Sequence, residues 1–107
     1  MYNVPIKTKG DTTMKNIEIK KLSAMPYAQA HVEYIDDENV YLWSYNTLVA
    51  KIENGWLTIN GLYSATTRRH IGCFMREYVK GSTYQLAKQL YYNRESLDIT
   101  TGEVVDI

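Results

Sequence analysis

Residues 48–60, LVAKIENGWLTIN, hold the strongest turn signal of the chain, an Asn54-Gly55 pair between two segments rich in apolar residues. Both residues tolerate the positive φ angles of a type I′ turn, so this stretch predicts a two-residue β-hairpin. Such a turn pairs Ile52 with Leu57 and puts Trp56 on the polar face of the hairpin. The apolar face is then formed by Leu48, Ala50, Ile52, Leu57 and Ile59.

The segments before this hairpin continue it into a meander. They are rich in β-branched and aromatic residues and are separated by turn-forming polar clusters. If Asn46-Thr47 forms a second two-residue turn, then Tyr41, Trp43 and Tyr45 join the apolar face. The predicted strands are 30–35, 40–45, 48–53 and 56–60, with an additional edge strand at 15–21.

Helical spacing follows the meander. The apolar residues lie at i, i+3, i+4, i+7 and i+8, which is the pattern of a helix that packs one side on a core, and they are Ile71, Phe74, Met75, Tyr78 and Val79. We expect this helix to cover residues 66–80, with Gly81 in the left-handed conformation at its end. Gly72 lies inside the helix, where glycine costs about 0.8–1 kcal/mol relative to alanine. The lack of a side chain at Gly72 would let either a binding partner or the sheet approach the helix closely at this position.

A second helix and a hairpin complete the predicted fold. Ser82 and Gln85 have the spacing of a capping box, which predicts a helix over 83–93. Residues 97–107 alternate around Thr101-Gly102 and predict a short closing hairpin. The fold class is therefore α+β, with an antiparallel β-meander of three to four strands packed against two helices and a short C-terminal hairpin.

Composition predicts one cytoplasmic domain. The 107 residues are 45% apolar and 22% charged, ordinary values for a globular protein. We expect residues 1–13 to be a flexible N-terminal arm, with Met14 as an alternative start, and residues 14–107 to be a single domain. No apolar run approaches the roughly 20 residues of a membrane helix. Cys73 is the only cysteine, which excludes an internal disulfide and fits a reducing compartment.

The start of the first helix carries the most unusual combination of residues. Hydroxyl side chains at Ser64, Thr66 and Thr67 are followed by Arg68 and Arg69, although a helix N-terminus disfavours cations by about 0.3–1 kcal/mol each. Free N–H groups, hydroxyls and guanidinium groups together favour anion binding. The alternative is a pair of solvated surface arginines. The candidate partner- or anion-binding residues are Ser64, Thr66, Thr67, Arg68, Arg69, Arg76, Lys80 and Trp56.

Two further properties bear on the type of partner. Acidic and basic residues balance at 12 each, but residues 31–53 are mostly acidic and residues 66–94 mostly basic. Ten tyrosines accompany one phenylalanine. Tyrosines are enriched at protein interfaces, although many of these simply fill the predicted core. Trp56 is either covered by the N-terminal arm or exposed as a binding anchor.

Catalytic and cofactor motifs are missing from the sequence. There is no phosphate-binding glycine loop, no cysteine pair and no metal-binding His-Glu helix motif, so we expect no cofactor, no metal and no enzymatic activity. His70 and Cys73 have a spacing that would suit a nucleophile and its base, but such pairs are more often structural. The segment 85–96 matches a helix-turn-helix only weakly, because it lacks the glycine turn and a recognition helix.

The runs LWSYNTLVAKI and YSATTRRHIGCFMREY resemble a group of short uncharacterised proteins from phages and mobile elements of Firmicutes. The shared pattern, Y-S-x-T-T…H-I…F-x-R-E-Y, falls on Tyr63, Ser64, Thr66, Thr67, His70, Ile71, Phe74, Arg76, Glu77 and Tyr78, and the resemblance covers about residues 28–80. It implies an accessory protein of a mobile element, without a known activity.

By analogy with other small proteins of such elements, we expect a binding protein that inhibits a host defence protein, in the manner of an anti-CRISPR. The expected partner is a host protein or ribonucleoprotein. The alternative is a nucleic-acid-binding accessory protein that acts through the basic helix 66–80.

Overall fold

The computed structural model describes residues 17–107, and in this range one antiparallel sheet of seven strands is packed on one face by two helices. The elements are β1 (Glu18–Lys20), β2 (Ala30–Asp36), β3 (Asn39–Ser44), β4 (Thr47–Glu53), β5 (Trp56–Ile59), α1 (Ala65–Tyr78), α2 (Tyr84–Asn93), β6 (Glu95–Asp98) and β7 (Val104–Asp106). The α+β class is confirmed. The prediction of three to four strands was too low, because β1 and the C-terminal hairpin join the same sheet. The predicted N-terminal arm, residues 1–13, lies outside the described residues.

The strands follow one another in sequence order, and the two helices are inserted between the neighbouring strands β5 and β6. The face that carries the helices is called the core face here, and the opposite face is called the back face. The predicted C-terminal hairpin is confirmed: β6 pairs with β7, and Leu97 of β6 also pairs with Leu57 of β5.

The β4–β5 hairpin has the register that Asn54-Gly55 predicts. Ile52 pairs with Leu57, and Glu53 pairs with Trp56. The φ angles of Asn54 and Gly55 are 54° and 83°, as the turn requires. Ile52 and Leu57 are fully buried on the core face, so the local turn chemistry and the burial pattern agree.

The register of β3 differs from the prediction. Ser44 pairs with Thr47, so the turn consists of Tyr45-Asn46 and not of Asn46-Thr47. The prediction that Tyr41, Trp43 and Tyr45 lie on the core face is therefore wrong. Instead, the core face of β3 carries Val40, Leu42 and Ser44. Val40 pairs with Ile52 of β4, and Leu42 pairs with Ala50.

The physical reason for this error is that β3 is apolar on both of its sides, so apolar alternation does not choose between two registers one residue apart. A slip of one residue turns every side chain to the other face. Tyr41 and Trp43 lie on the back face, and Tyr45 has a φ of 56° in the turn. An irregularity beside Leu42 also puts Leu48 opposite Trp43, away from its predicted place on the core face.

The core joins the core face to both helices. Ile71, Phe74 and Met75 of α1 are completely buried, and Ala87 and Leu90 of α2 pack into the same cluster. The predicted apolar stripe of the first helix is thus confirmed. Among residues 17–107, no helix has the length and the apolar character that crossing a membrane would require.

The two helices begin differently, and the start of the second differs from the prediction. Ser64 is the N-cap of α1. The N-cap of α2 is Thr83, whose side chain makes no capping hydrogen bond, so the predicted capping box does not form. Instead, the Ser82 hydroxyl donates to the carbonyl oxygen of Met75 at 2.9 Å. Gly81 has the expected positive φ, 73°, but α1 already ends at Tyr78 and its C-cap is Val79 in an extended conformation, so the prediction that Gly81 caps the helix is wrong.

Candidate functional site: the exposed side of helix α1

The hydroxyl groups at the start of α1 bond to one another and to the protein interior. The Ser64 hydroxyl oxygen accepts a hydrogen bond from the Thr67 N–H at 3.1 Å, which satisfies one of the free donors of the first turn. Ser64 also donates to the Thr67 hydroxyl at 3.2 Å. Thr67 is 4% exposed. The Thr67 hydroxyl therefore faces the interior, and only Ser64 and the half-buried Thr66 remain near solvent.

A buried polar chain continues from Thr67 into the sheet. The Ser44 hydroxyl lies 3.3 Å from the Thr67 hydroxyl and 2.9 Å from Nδ1 of His70. His70 is completely buried, its Nε2 has no hydrogen-bond partner, and its ring centroid lies 6.2 Å from that of Tyr45. These contacts fix the first turns of α1 to the end of β3.

Burial determines the chemistry of this chain. It lowers the pKa of His70 below its ordinary 6.5, and the neighbouring Arg69 charge lowers it further, so the ring is neutral at pH 7. A serine hydroxyl at 2.9 Å from an imidazole has the spacing of a nucleophile and its base. However, Ser44 is only 2% exposed, which leaves a substrate no approach to its oxygen. The arrangement is suited to anchoring the helix.

The cations of α1 lie on its exposed side. Arg69 and Arg76 are seven residues apart, almost two full turns, so they point in nearly the same direction. Lys80 follows two residues after the end of α1, and all three side chains are exposed. We call these three residues the basic strip. At about 1.5 Å per residue, Arg69 and Arg76 lie about 10 Å apart along the helix axis, and Lys80 follows beyond the helix end.

Arg68 does not belong to the basic strip. It lies about 100° around the helix from Arg69. Its Nε donates to the carbonyl oxygen of Leu62 at 3.4 Å, so the side chain reaches back over the loop before α1. Within residues 17–107, neither Arg68 nor any member of the basic strip forms an ion pair. The strip therefore presents uncompensated positive charge.

Two neighbouring elements flank the basic strip. On one side α2 approaches Gly72, where an added Cβ would lie 3.6 Å from the Cβ of Tyr84. On the other side, Glu77 accepts hydrogen bonds from the N–H and the hydroxyl of Ser23, at 3.0 and 2.8 Å. Glu77, the acid next to Arg76 in sequence, is thus bound to the loop before β2. The strip is a narrow ridge between α2 and this loop.

Trp56 lies apart from the other candidate residues. It is half-buried on the back face, as the hairpin register predicts, and the sheet separates it from α1. The structure therefore divides the predicted site into two surfaces. Ser64, Thr66, Arg68, Arg69, Arg76 and Lys80 lie along α1, Thr67 lies beneath it, and Trp56 lies on the other side of the molecule.

The back face carries a second group of polar and aromatic side chains. The indole N–H of Trp43 donates to Glu33 at 3.0 Å, and His31 stacks parallel to the Trp43 ring at 6.2 Å. The Tyr41 hydroxyl donates to Glu53 at 3.0 Å. Sequence reasoning missed this group because it assigned Tyr41 and Trp43 to the core face. His31 and Glu33 are two residues apart and therefore lie on one face of β2. This spacing indicates the group only once the register of β3 places Trp43 and Tyr41 on the same face.

Cys73 and the histidines do not form a reactive or metal-binding group in the described part of the chain. Cys73 is 7% exposed, and its sulfur lies 3.6 Å from Nη2 of Arg76. Its predicted neighbour His70 bonds to Ser44 instead. Residues 17–107 contain no group of three or more side chains that could hold a metal ion.

Residues 12–94 match a family of unknown function, DUF8033. The match covers most of the meander and both helices, including the basic strip and the buried polar chain. The chain belongs to this family. Comparison with curated proteins gave no match, and comparison with solved structures gave none.

Proposed function

We propose that this protein is a non-enzymatic accessory protein that binds a macromolecular partner through the basic strip. The observation that carries the proposal is the exposed set Arg69, Arg76 and Lys80, which forms no ion pair within residues 17–107. Carboxylate or phosphate groups of a partner would compensate this charge, and bidentate bonds from arginine would fix their orientation.

The rigidity of the helix supports this choice of surface. The Ser44–His70 bond and the core residues of α1 hold the helix in one position, so the cations need no rearrangement of the backbone to meet a partner. Gly72 and Cys73, between the arginines, are buried and offer no competing side chain at the surface. The backbone that carries the two arginines is therefore preorganised.

The non-catalytic part of the proposal is supported by burial. Ser44 lies next to an imidazole but is only 2% exposed, and Cys73 is only 7% exposed. A nucleophile needs hydrogen-bond contact with its base and with a substrate at the same time. A protein that acts by covering a partner's surface needs neither a nucleophile nor a base.

For the type of partner, we propose a host protein or ribonucleoprotein, and most specifically a host defence protein that is inhibited in the manner of an anti-CRISPR. This rests on the resemblance to proteins of phages and mobile elements and on analogy. We also propose that the protein acts in the cytoplasm of a bacterial host. The second candidate is direct binding of nucleic acid, which the uncompensated charge of the basic strip equally favours.

Affinity capture from a host lysate, with and without nuclease, tests the proposal. The test variant is Arg69→Ala/Arg76→Ala, and its control is Lys21→Ala/Lys88→Ala, which removes the same charge from exposed positions off the ridge. We expect the test variant to lose the captured partner and the control to keep it, while both unfold at the same urea concentration as the wild type. Equal capture by both variants would contradict the proposal.

Salt dependence separates the two types of partner. Three phosphate contacts give a slope of about −3 in log K against log salt, and nuclease then abolishes capture. A protein partner is retained at high salt and after nuclease treatment, because its interface includes uncharged contacts.

A further inference from the structure

Tyr41 is far more buried than its place in the sheet explains. It lies on the back face, in the third strand from the β1 edge, and its side chain is only 2% exposed. Both helices and the loop that binds Glu77 pack on the core face. The open face of an antiparallel sheet is normally solvated, so a tyrosine there keeps much of its ring exposed.

The neighbours of Tyr41 on the back face do not account for this burial. They are Glu33 across on β2 and Lys51 across on β4, and both are themselves only half-buried. Side chains beside a tyrosine shield the edges of its ring, but its outer side stays open unless another layer covers it. Trp43 and Trp56, which flank the same region, are also half-buried. The contacts within residues 17–107 therefore leave the burial of Tyr41 unexplained.

We propose that the back face is a docking surface for the chain's own N-terminal segment, residues 1–16. These residues lie outside the described part of the chain. They join it at Ile17, directly before the edge strand β1. Tyr41 is two strands from β1, a distance of about 10 Å at the usual strand spacing. Sixteen residues span up to about 50 Å when extended, so the segment reaches Tyr41 with ample length.

Charge complementarity supports this occupant. The back face carries Glu33 and Glu53 against the cation Lys51, which lies 3.2 Å from Glu53. The acidic turn of Asp36, Asp37 and Glu38 lies beside the start of β1, because Glu18 pairs with Tyr34. Residues 1–16 contain three lysines and one aspartate, at Lys7, Lys9, Lys15 and Asp11. Their apolar residues include Tyr2, Val4 and Ile6, which suit contact with the rings of Tyr41, Trp43 and Trp56.

This inference is independent of the proposed partner binding, since the back face and the basic strip lie on opposite sides of the sheet. It assigns Trp56 to an intramolecular contact.

Zero-length carbodiimide cross-linking of the full-length protein, followed by peptide mass spectrometry, tests the proposal. We expect amide bonds between Lys7, Lys9 or Lys15 and Glu33 or Glu53. The bonds should disappear in Glu33→Gln/Glu53→Gln and persist in the control Glu103→Gln, whose position lies in the C-terminal hairpin loop. No such bonds in the wild type would overturn the proposal. In a mixture of isotope-labelled and unlabelled protein, bonds formed only between copies would overturn it in favour of a second copy as the occupant.

Tryptophan fluorescence gives a second measurement, because Trp43 and Trp56 are the only tryptophans and both lie on the back face. The charge-reversed variant Lys7→Glu/Lys9→Glu/Lys15→Glu should release the segment and raise acrylamide quenching towards that of the unfolded chain. Lys21→Glu/Lys80→Glu/Lys88→Glu, which reverses three exposed lysines elsewhere, should leave quenching as in the wild type. Identical quenching in the two variants would overturn the proposal.

Discussion

Replacing Gly72 by alanine should stabilise the protein. Glycine inside a helix costs about 0.8–1.0 kcal/mol relative to alanine. A Cβ built at Gly72 meets the Cβ of Tyr84 at 3.6 Å and Nη1 of Arg76 at 3.7 Å, both ordinary van der Waals distances. The added methyl therefore introduces no overpacking, and its burial against α2 contributes up to a further 0.8 kcal/mol or so. We expect the free energy of unfolding to rise by about 1 kcal/mol.

Urea denaturation monitored by tryptophan fluorescence measures this change as a shift of the midpoint at constant slope. In thermal unfolding, 1 kcal/mol corresponds to about 4–8 °C for a domain of this size. Gly81→Ala is the matched control. Its φ of 73° disfavours a Cβ, so this variant should lose about 1–2 kcal/mol. A destabilised Gly72→Ala protein would refute the reasoning and show that α1 and α2 approach more closely than the structure places them.

Three other predictions follow from the core and from the buried polar chain. Phe74→Ala should lower the free energy of unfolding by about 3–5 kcal/mol, because the ring is completely buried; a melting temperature close to that of the wild type would contradict this. Burial lowers the pKa of His70, so its contribution to stability is complete above pH 6.5, the ordinary histidine value, and is lost as the pH falls from there towards the folded-state pKa. His70→Asn should remove this pH dependence in urea titrations while His31→Asn keeps it; equal dependence in both variants would contradict the assignment. Cys73→Ser should leave partner capture intact, and a folded variant that loses capture would disprove the non-enzymatic proposal.

The parts of the fold that could be predicted from sequence are those set by local chemistry. Asn54-Gly55 defines both its turn and the register of β4 with β5, because few residues accept its backbone angles. The buried stripe of α1 follows from helical spacing alone. The register of β3 could not be predicted, because its two sides are similarly apolar and the turn uses Tyr45, a residue that rarely adopts positive φ.

The candidate site was predictable to a smaller extent. The exposure of Arg69 and Arg76 follows from their phase opposite the apolar stripe. The hydrogen bonds of Ser44 to Thr67 and to His70 join residues more than 20 positions apart in sequence, and no local pattern encodes such contacts. The division of the site between α1 and the back face depends in turn on the whole sheet topology.

The insertion of both helices between adjacent strands has a consequence for the order of folding. All other neighbouring strands of the described sheet are joined directly, without a helix between them, so their pairing closes short loops. The pairing of β5 with β6 instead brings Trp56 to Asp98 and closes a loop that contains α1 and α2. Because each doubling of loop length costs about 0.6 kcal/mol of entropy, this closure costs about 2 kcal/mol more than a short hairpin loop. We therefore expect the C-terminal hairpin to join the sheet late, after the helices have shortened the gap, and substitutions in it to change the unfolding rate more than the folding rate.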